Sequence, residues 1–156
     1  MEMKEKPAIA VSACLIGQRC RYNGDTKTDG RVIKLEKRFR FVPVCPEMLG
    51  GLPVPREPSE ISGDRVITRS GKDMTDAYRK GAEKTLELIR SEGCVAALFK
   101  EKSPSCGSGF VHNGLFDGGM VPGDGIASAL LRTQGIPVYG ETETEKLLLA
   151  WKGKRI

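Results

Sequence analysis

A chain of 156 residues, 39% hydrophobic and 29% charged, has the balance of one soluble globular domain and needs no disulfide staple to fold. Its net charge of +5 comes from 25 Lys and Arg against 20 Asp and Glu, and no aromatic-interleaved basic run marks a nucleic-acid groove. The charged start, residues 1–7, lacks the apolar core of a signal peptide, and no stretch approaches a membrane span, so a cytoplasmic protein with reduced thiols is expected.

Residues 7–13 form a short, continuous apolar run, as expected of a strand buried on both faces, and the run ends at Cys14. A polar loop continues to about Gly30, and Val32, Ile33 and Leu35 then mark a short helix over 31–38. A second strand, 39–44, ends at Cys45. Residues 46–71, with prolines at 46, 53, 55 and 58, read as a long functional loop or lid holding a small strand at 64–68. The clearest helix is 73–92, where Met74, Ala77, Tyr78, Gly81, Thr85, Leu88 and Ile89 keep the rhythm of one buried face. Asp73 is placed to cap it and Gly93 to end it in a left-handed conformation.

A third strand, 94–100, leads into Ser103-Pro104-Ser105-Cys106-Gly107. After a glycine-rich excursion, Asp124 is placed to cap a helix through Ile126, Ala127, Leu130 and Leu131, stopped at Gly135. Residues 136–139 are a fourth strand. Thr142-Glu143-Thr144-Glu145 then reads as a capping box for a last helix bearing Leu147, Leu148 and Trp151.

Strands alternating with helices predict a single α/β domain, Rossmann-like and three-layered, with about four parallel strands and helices on both faces. The expected strand order, by analogy with similar folds, is 2-1-3-4. Ligands of such sheets bind beyond the carboxyl ends of the strands. Cys14, Cys45 and Cys106 each follow such an end, in loops rich in Pro and Gly.

Reduced thiols in an odd total of five read as ligands or catalysts rather than disulfides. No C-x-x-C pair is present, so no zinc-finger pattern applies. Three thiolates from three loops leave one position of a metal or iron–sulfur site open, which favours catalysis over structure. Closure of a zinc site would need a fourth ligand, either Cys20, giving an all-cysteine set, or the only histidine, His112. His112 reads more simply as an exposed loop residue. Cys94 opens an apolar strand and reads as core. A metal-free persulfide carrier on Cys14 or Cys106 is a third reading. Phosphate-loop and dinucleotide fingerprints are missing from the sequence.

Glu47 lies between Cys45 and Gly50-Gly51, where a partly desolvated carboxylate is suited to act as a general base on water. Ser103 and Ser105 flank Pro104 as turn-formers, and a hydroxyl beside Cys106 can also orient a substrate or pass a proton. Arg19, Arg21, Arg56, Lys100 and Lys102 lie in or near the cysteine loops as a candidate basic rim for an anionic or nucleotide-like substrate.

Three blocks, taken together, resemble one family: Ser12-Ala13-Cys14-Leu15-Ile16-Gly17 with Cys20-Arg21-Tyr22-Asn23-Gly24; Cys45 to Pro53 with Pro55-Arg56; and Lys100 with Ser103-Pro104-Ser105-Cys106-Gly107. This is the bacterial domain family, formerly of unknown function, that includes the thiouracil desulfidases. The resemblance implies an oxygen-sensitive [4Fe-4S] cluster held by Cys14, Cys45 and Cys106, with the fourth iron open. It further implies a small thiolated substrate such as 2-thiouracil, whose sulfur binds the open iron. Glu47 would activate water against the C–S carbon, Ser103 would assist in binding or proton transfer, and uracil and sulfide would be the products.

Overall fold

In the computed structural model, which describes residues 6–152, the apolar runs become the middle of a parallel sheet. The first five residues of the charged start lie outside the described residues. Along the chain come β1 (Ala8–Ser12), α1 (Gly30–Ile33), β2 (Arg40–Val44), α2 (Pro46–Leu49), β3 (Ser59–Ser62) and β4 (Arg65–Thr68). They are followed by α3 (Thr75–Glu92), β5 (Cys94–Phe99), β6 (Phe110–His112), β7 (Met120–Pro122), α4 (Ile126–Thr133), β8 (Val138–Gly140) and α5 (Thr144–Lys152).

The four-stranded sheet runs β2-β1-β5-β8, parallel throughout, in the expected order. Its central strands carry apolar residues on both faces because both faces are covered. Ile9, Val11 and Leu98 meet Val32, Leu35, Phe39 and Leu147 on one side. Ala10, Ala97 and Phe99 meet Ala82, Ile89, Ala127 and Leu131 on the other. Three layers result, and each fully buried Leu or Ile contributes roughly 1.5–3 kcal/mol.

Four local expectations are corrected. Residues 46–71 hold α2 and an antiparallel hairpin, β3–β4, rather than one long loop with a lone strand. Helix α3 begins at Thr75, because Asp73 Oδ1 accepts from both the Thr75 amide (2.9 Å) and its hydroxyl and leaves Met74 at the N-cap. Gly93 ends α3 at φ 67°, as expected. Asp124 does not cap α4: the amides of Ile126 and Ala127 donate to the carbonyls of Pro104 (2.8 Å) and Ser105 (2.9 Å). Asp124 instead accepts from the Gly109 amide and pairs with Arg132. At α5, Glu143 rather than Glu145 reaches back, its Oε1 accepting from the Gly140 amide at 2.9 Å.

Candidate active site at the rim of the sheet

Ser12 Oγ accepts from the Lys100 amide at 2.8 Å and so ties the end of β1 to the end of β5. The chain then enters a short 3-10 turn, Ala13–Ile16, that carries Cys14. The Cys14 carbonyl accepts from the Thr26 hydroxyl (2.7 Å) and the Lys27 amide (2.9 Å). These bonds fold the following loop back on itself, and Cys20 is buried within it.

At the end of β2, Cys45 is extended (φ −130°), and Pro46 in the first turn of α2 supplies a φ already set for a helix. Glu47 therefore sits in that first turn, over the sheet rim. α2 then lies directly on α3. A Cβ on Gly50 would overlap the Ala77 carbonyl, and one on Gly81 would overlap the Pro46 carbonyl. This backbone contact brings Glu47 against Tyr78.

The third loop folds around Ser103. Its Oγ accepts from the amides of Ser105 and Cys106, both at 3.1 Å, and its carbonyl accepts from Gly107 at 2.8 Å. The Cys106 carbonyl accepts from the Ser128 hydroxyl at 2.7 Å, which docks the loop on α4.

These loops enclose a cavity of ≈ 390 Å³, a size suited to a small ligand. Cys14, Cys20, Cys45 and Cys106 all line it, together with Glu47 and Ser103. Cys20 lies in hydrogen-bond contact with both Cys14 and Cys45. Contact with Cys14 and burial push the Cys20 thiol up to about 11, against the opposing effect of Cys45. Contact with Cys20 and then burial raise Cys45 well above an ordinary thiol. Cys106 is bonded to the hydroxyls of Ser12 and Ser105, and burial pushes it up to about 12. These three thiols are thus protonated near neutral pH, and metal loading must displace their protons.

Among the described residues, no three His, Cys, Asp or Glu side chains are grouped to hold a single metal ion. Four thiols lining one cavity are soft donors of the kind that hold iron–sulfur clusters. On donor chemistry, the residues present fit an iron–sulfur cluster.

Glu47 is the hub of the remaining polar groups. Its Oε1 accepts from Arg56 Nε at 2.9 Å and from the Tyr78 hydroxyl at 3.1 Å. Its Oε2 accepts from Ser105 Oγ at 2.9 Å and, more weakly, from Ser103 Oγ at 3.4 Å. Ser103 and Ser105 share a hydrogen bond of 3.0 Å. Burial and the Glu47 charge raise the Tyr78 phenol, so it remains a neutral donor.

The structure brings every expected site residue to this one cavity: Cys14, Cys45, Cys106, Glu47 and Ser103. The basic rim is thinner than its sequence suggests. Arg56 is engaged by Glu47 and Lys100 by Glu141, whereas Arg21 and Lys102 line the cavity with no carboxylate partner among the described residues. His112 is corrected from an exposed loop residue to a half-buried member of β6 in the cavity wall, with a buried, unpartnered Nδ1. Sequence reasoning missed Tyr78 as a site residue, because its helical spacing reads as core. It also missed the hairpins β3–β4 and β6–β7, which supply Glu60 and, beyond or between their strands, Arg69 and Phe116 to the same cavity.

A family model described as 2-thiouracil desulfurase matches residues 9–143. YbbK of Bacillus subtilis (strain 168), an uncharacterized protein, is 42% identical over an alignment of 150 residues, covering 90% of this chain and 99% of that protein. The solved structure of a [4Fe-4S]-dependent thiouracil desulfidase, TudS, has a TM-score of 0.89 and 45% identity, covering 94% of this chain and 99% of that one.

Proposed function

The chain belongs to the 2-thiouracil desulfurase family, and from that premise we propose hydrolytic desulfuration of a small thiolated heterocycle such as 2-thiouracil, at a [4Fe-4S] cluster held by Cys14, Cys45 and Cys106. As an enzyme it is an iron–sulfur-dependent, C–S-cleaving desulfidase. The reaction consumes one water and releases sulfide, with no net oxidation or reduction. The observation that carries the reading is the convergence of buried thiols and a hydrogen-bonded carboxylate on one cavity beyond the strand ends.

When bound, the cluster would supply a thiophilic iron without a protein ligand as the Lewis acid for the thiocarbonyl sulfur. The chain's own residues handle water and protons. Glu47 is the proton acceptor, held in place by Arg56 and Tyr78 on one oxygen and Ser105 on the other. Ser103 Oγ accepts two backbone amides, which leaves its own hydrogen to donate. It donates that hydrogen to Ser105 or Glu47 and so orients the network, while a cavity water gives its proton to Glu47 directly or through Ser105 Oγ, which keeps a lone pair free and itself donates to Glu47. The hydroxide so formed attacks the thiocarbonyl carbon.

One contact favours a second ligand set, Cys14, Cys20 and Cys45, since Cys20 touches the other two thiols. Iron content of Cys20→Ala and Cys106→Ala, prepared anaerobically, separates the two. Loss of iron in Cys106→Ala with retention in Cys20→Ala supports the first set, and the reverse supports the second.

The test of function is iron and sulfide content of anaerobically reconstituted protein, with sulfide release from 2-thiouracil. Glu47→Gln is expected to keep the cluster and lose turnover. Colourless, iron-free protein holding zinc in air overturns the assignment in favour of a zinc module. An active, metal-free protein bearing a persulfide does so in favour of a sulfur carrier. Among the described residues, no helix is long and apolar enough to cross a membrane.

A further inference from the structure

The turn joining β6 to β7 is held in a conformation that its sequence alone would not choose. Phe116 adopts φ 55°, in the left-handed region where an aromatic residue is strained. Glu60, 9% exposed, maintains it: Glu60 Oε1 accepts from the amides of Gly114 (3.0 Å) and Phe116 (3.1 Å). No cation pairs with this carboxylate among the described residues, so those amides are its compensation. A Cβ on Gly114 would stand 2.7 Å from the Ile61 carbonyl, so the turn lies directly against β3. Asn113 and Asp117 lock the turn from within, through a 2.8 Å bond between their side chains and bonds to the Leu115 and Gly119 amides.

What this scaffold presents to the cavity is one ring. Phe116 and Arg69 both line it, and the Arg69 guanidinium packs 5.5 Å from the ring centroid. Arg69 makes no ion pair among the described residues. A buried acid, a close-packed glycine and a self-locked turn all serve to hold a strained aromatic residue in the wall. Strain of this kind persists only where surrounding contacts maintain it, and it gathers at ligand sites.

We propose that Phe116, braced by Arg69, is the ring-stacking wall of the cavity and the specificity residue that selects planar heteroaromatic thiones over acyclic thioamides. The inference rests on the desulfidase reading for the reaction, but its own content is ring binding. A flat π-face recognises any pyrimidine ring regardless of the atom exchanged, so substrate and product are both held by it.

The test is anaerobic calorimetric titration of the cluster-loaded protein with uracil, which has no sulfur to lose, beside steady-state kinetics on 2-thiouracil. Phe116→Leu is expected to weaken uracil binding and raise KM by about tenfold, leaving kcat within about twofold, while Phe116→Tyr retains parental values. Arg69→Ala, at an exposed position outside the hydrogen-bonded turn, is a second arm should Phe116→Leu not fold, and it is expected to weaken uracil binding about threefold. Uracil affinity unchanged in Phe116→Leu, or in Arg69→Ala if that is the variant that folds, overturns the proposal, as does a fall in kcat at constant KM. Parent protein that binds uracil through Phe116 yet releases no sulfide upholds the wall and overturns the desulfidase assignment.

Discussion

Arg56 Nε lies 2.9 Å from Glu47 Oε1, with the two side chains only 7% and 12% exposed. The same guanidinium donates to the carbonyls of Cys20 (2.8 Å) and Pro53 (3.0 Å). One arginine therefore links the acid to the loop of Cys20 and to the segment after α2. Arg56→Ala leaves a nearly buried carboxylate without its charge partner, at a cost of about 3 kcal/mol. Urea unfolding of the metal-free variant should show that loss, and Arg56→Lys should recover only part of it because an ammonium lacks the fork.

The path from Ser103 through Ser105 to Glu47 runs over steps of 3.0 and 2.9 Å, against 3.4 Å for the direct contact. Ser105 is thus the better bridge. Ser105→Ala is expected to lower kcat by about a hundredfold at unchanged KM and iron content, with Ser105→Thr restoring much of it. Steady-state kinetics with parallel iron assay checks this. A variant that turns over like the parent removes Ser105 from the path.

The sheet was legible in the sequence because β1, β2, β5 and β8 are continuous or near-continuous apolar runs, and each of the first three leads into a loop that carries a cysteine. The α2–α3 contact was half legible: Gly50-Gly51 stood out, but its partner is Gly81, which sequence spacing placed on a core face without showing what it met. The hairpin β6–β7 was not legible, since strands of three residues separated by glycines carry no alternation to read. The misplaced cap at Asp124 has a similar origin. Local pattern rules cannot see that carbonyls some twenty residues earlier satisfy the amides of α4.

Gly81→Ala forces a methyl group into the Pro46 carbonyl, and neither backbone can yield without moving α2. A destabilisation of about 1–3 kcal/mol is expected from thermal unfolding. Because α2 carries Glu47, kcat should fall as well, which an overpacked site remote from the cavity would not produce.

Thr75, through its hydroxyl and then its amide, holds the Asp73 carboxyl below the usual range. A depressed folded pKa means that the contribution is present above the unfolded value, about 3.9, and is lost as the pH falls through the lower folded one. Asp73→Ala should therefore be less stable than the parent near neutrality, and the gap should close in acid. Urea midpoints of the two proteins at neutral pH and below about pH 3 measure this.

Because the Cys106 loop surrenders the carbonyls of Pro104 and Ser105 to the first amides of α4, and that of Cys106 to Ser128, it cannot take its final shape before α4 exists. A nascent chain emerges from its N-terminus, so Cys14, Cys20 and Cys45 leave the ribosome well before the helix that finishes their partner loop. Iron and sulfide delivered at that stage would find an incomplete nest. Completion of the cavity that gathers these cysteines is therefore a step that follows translation of residue 128.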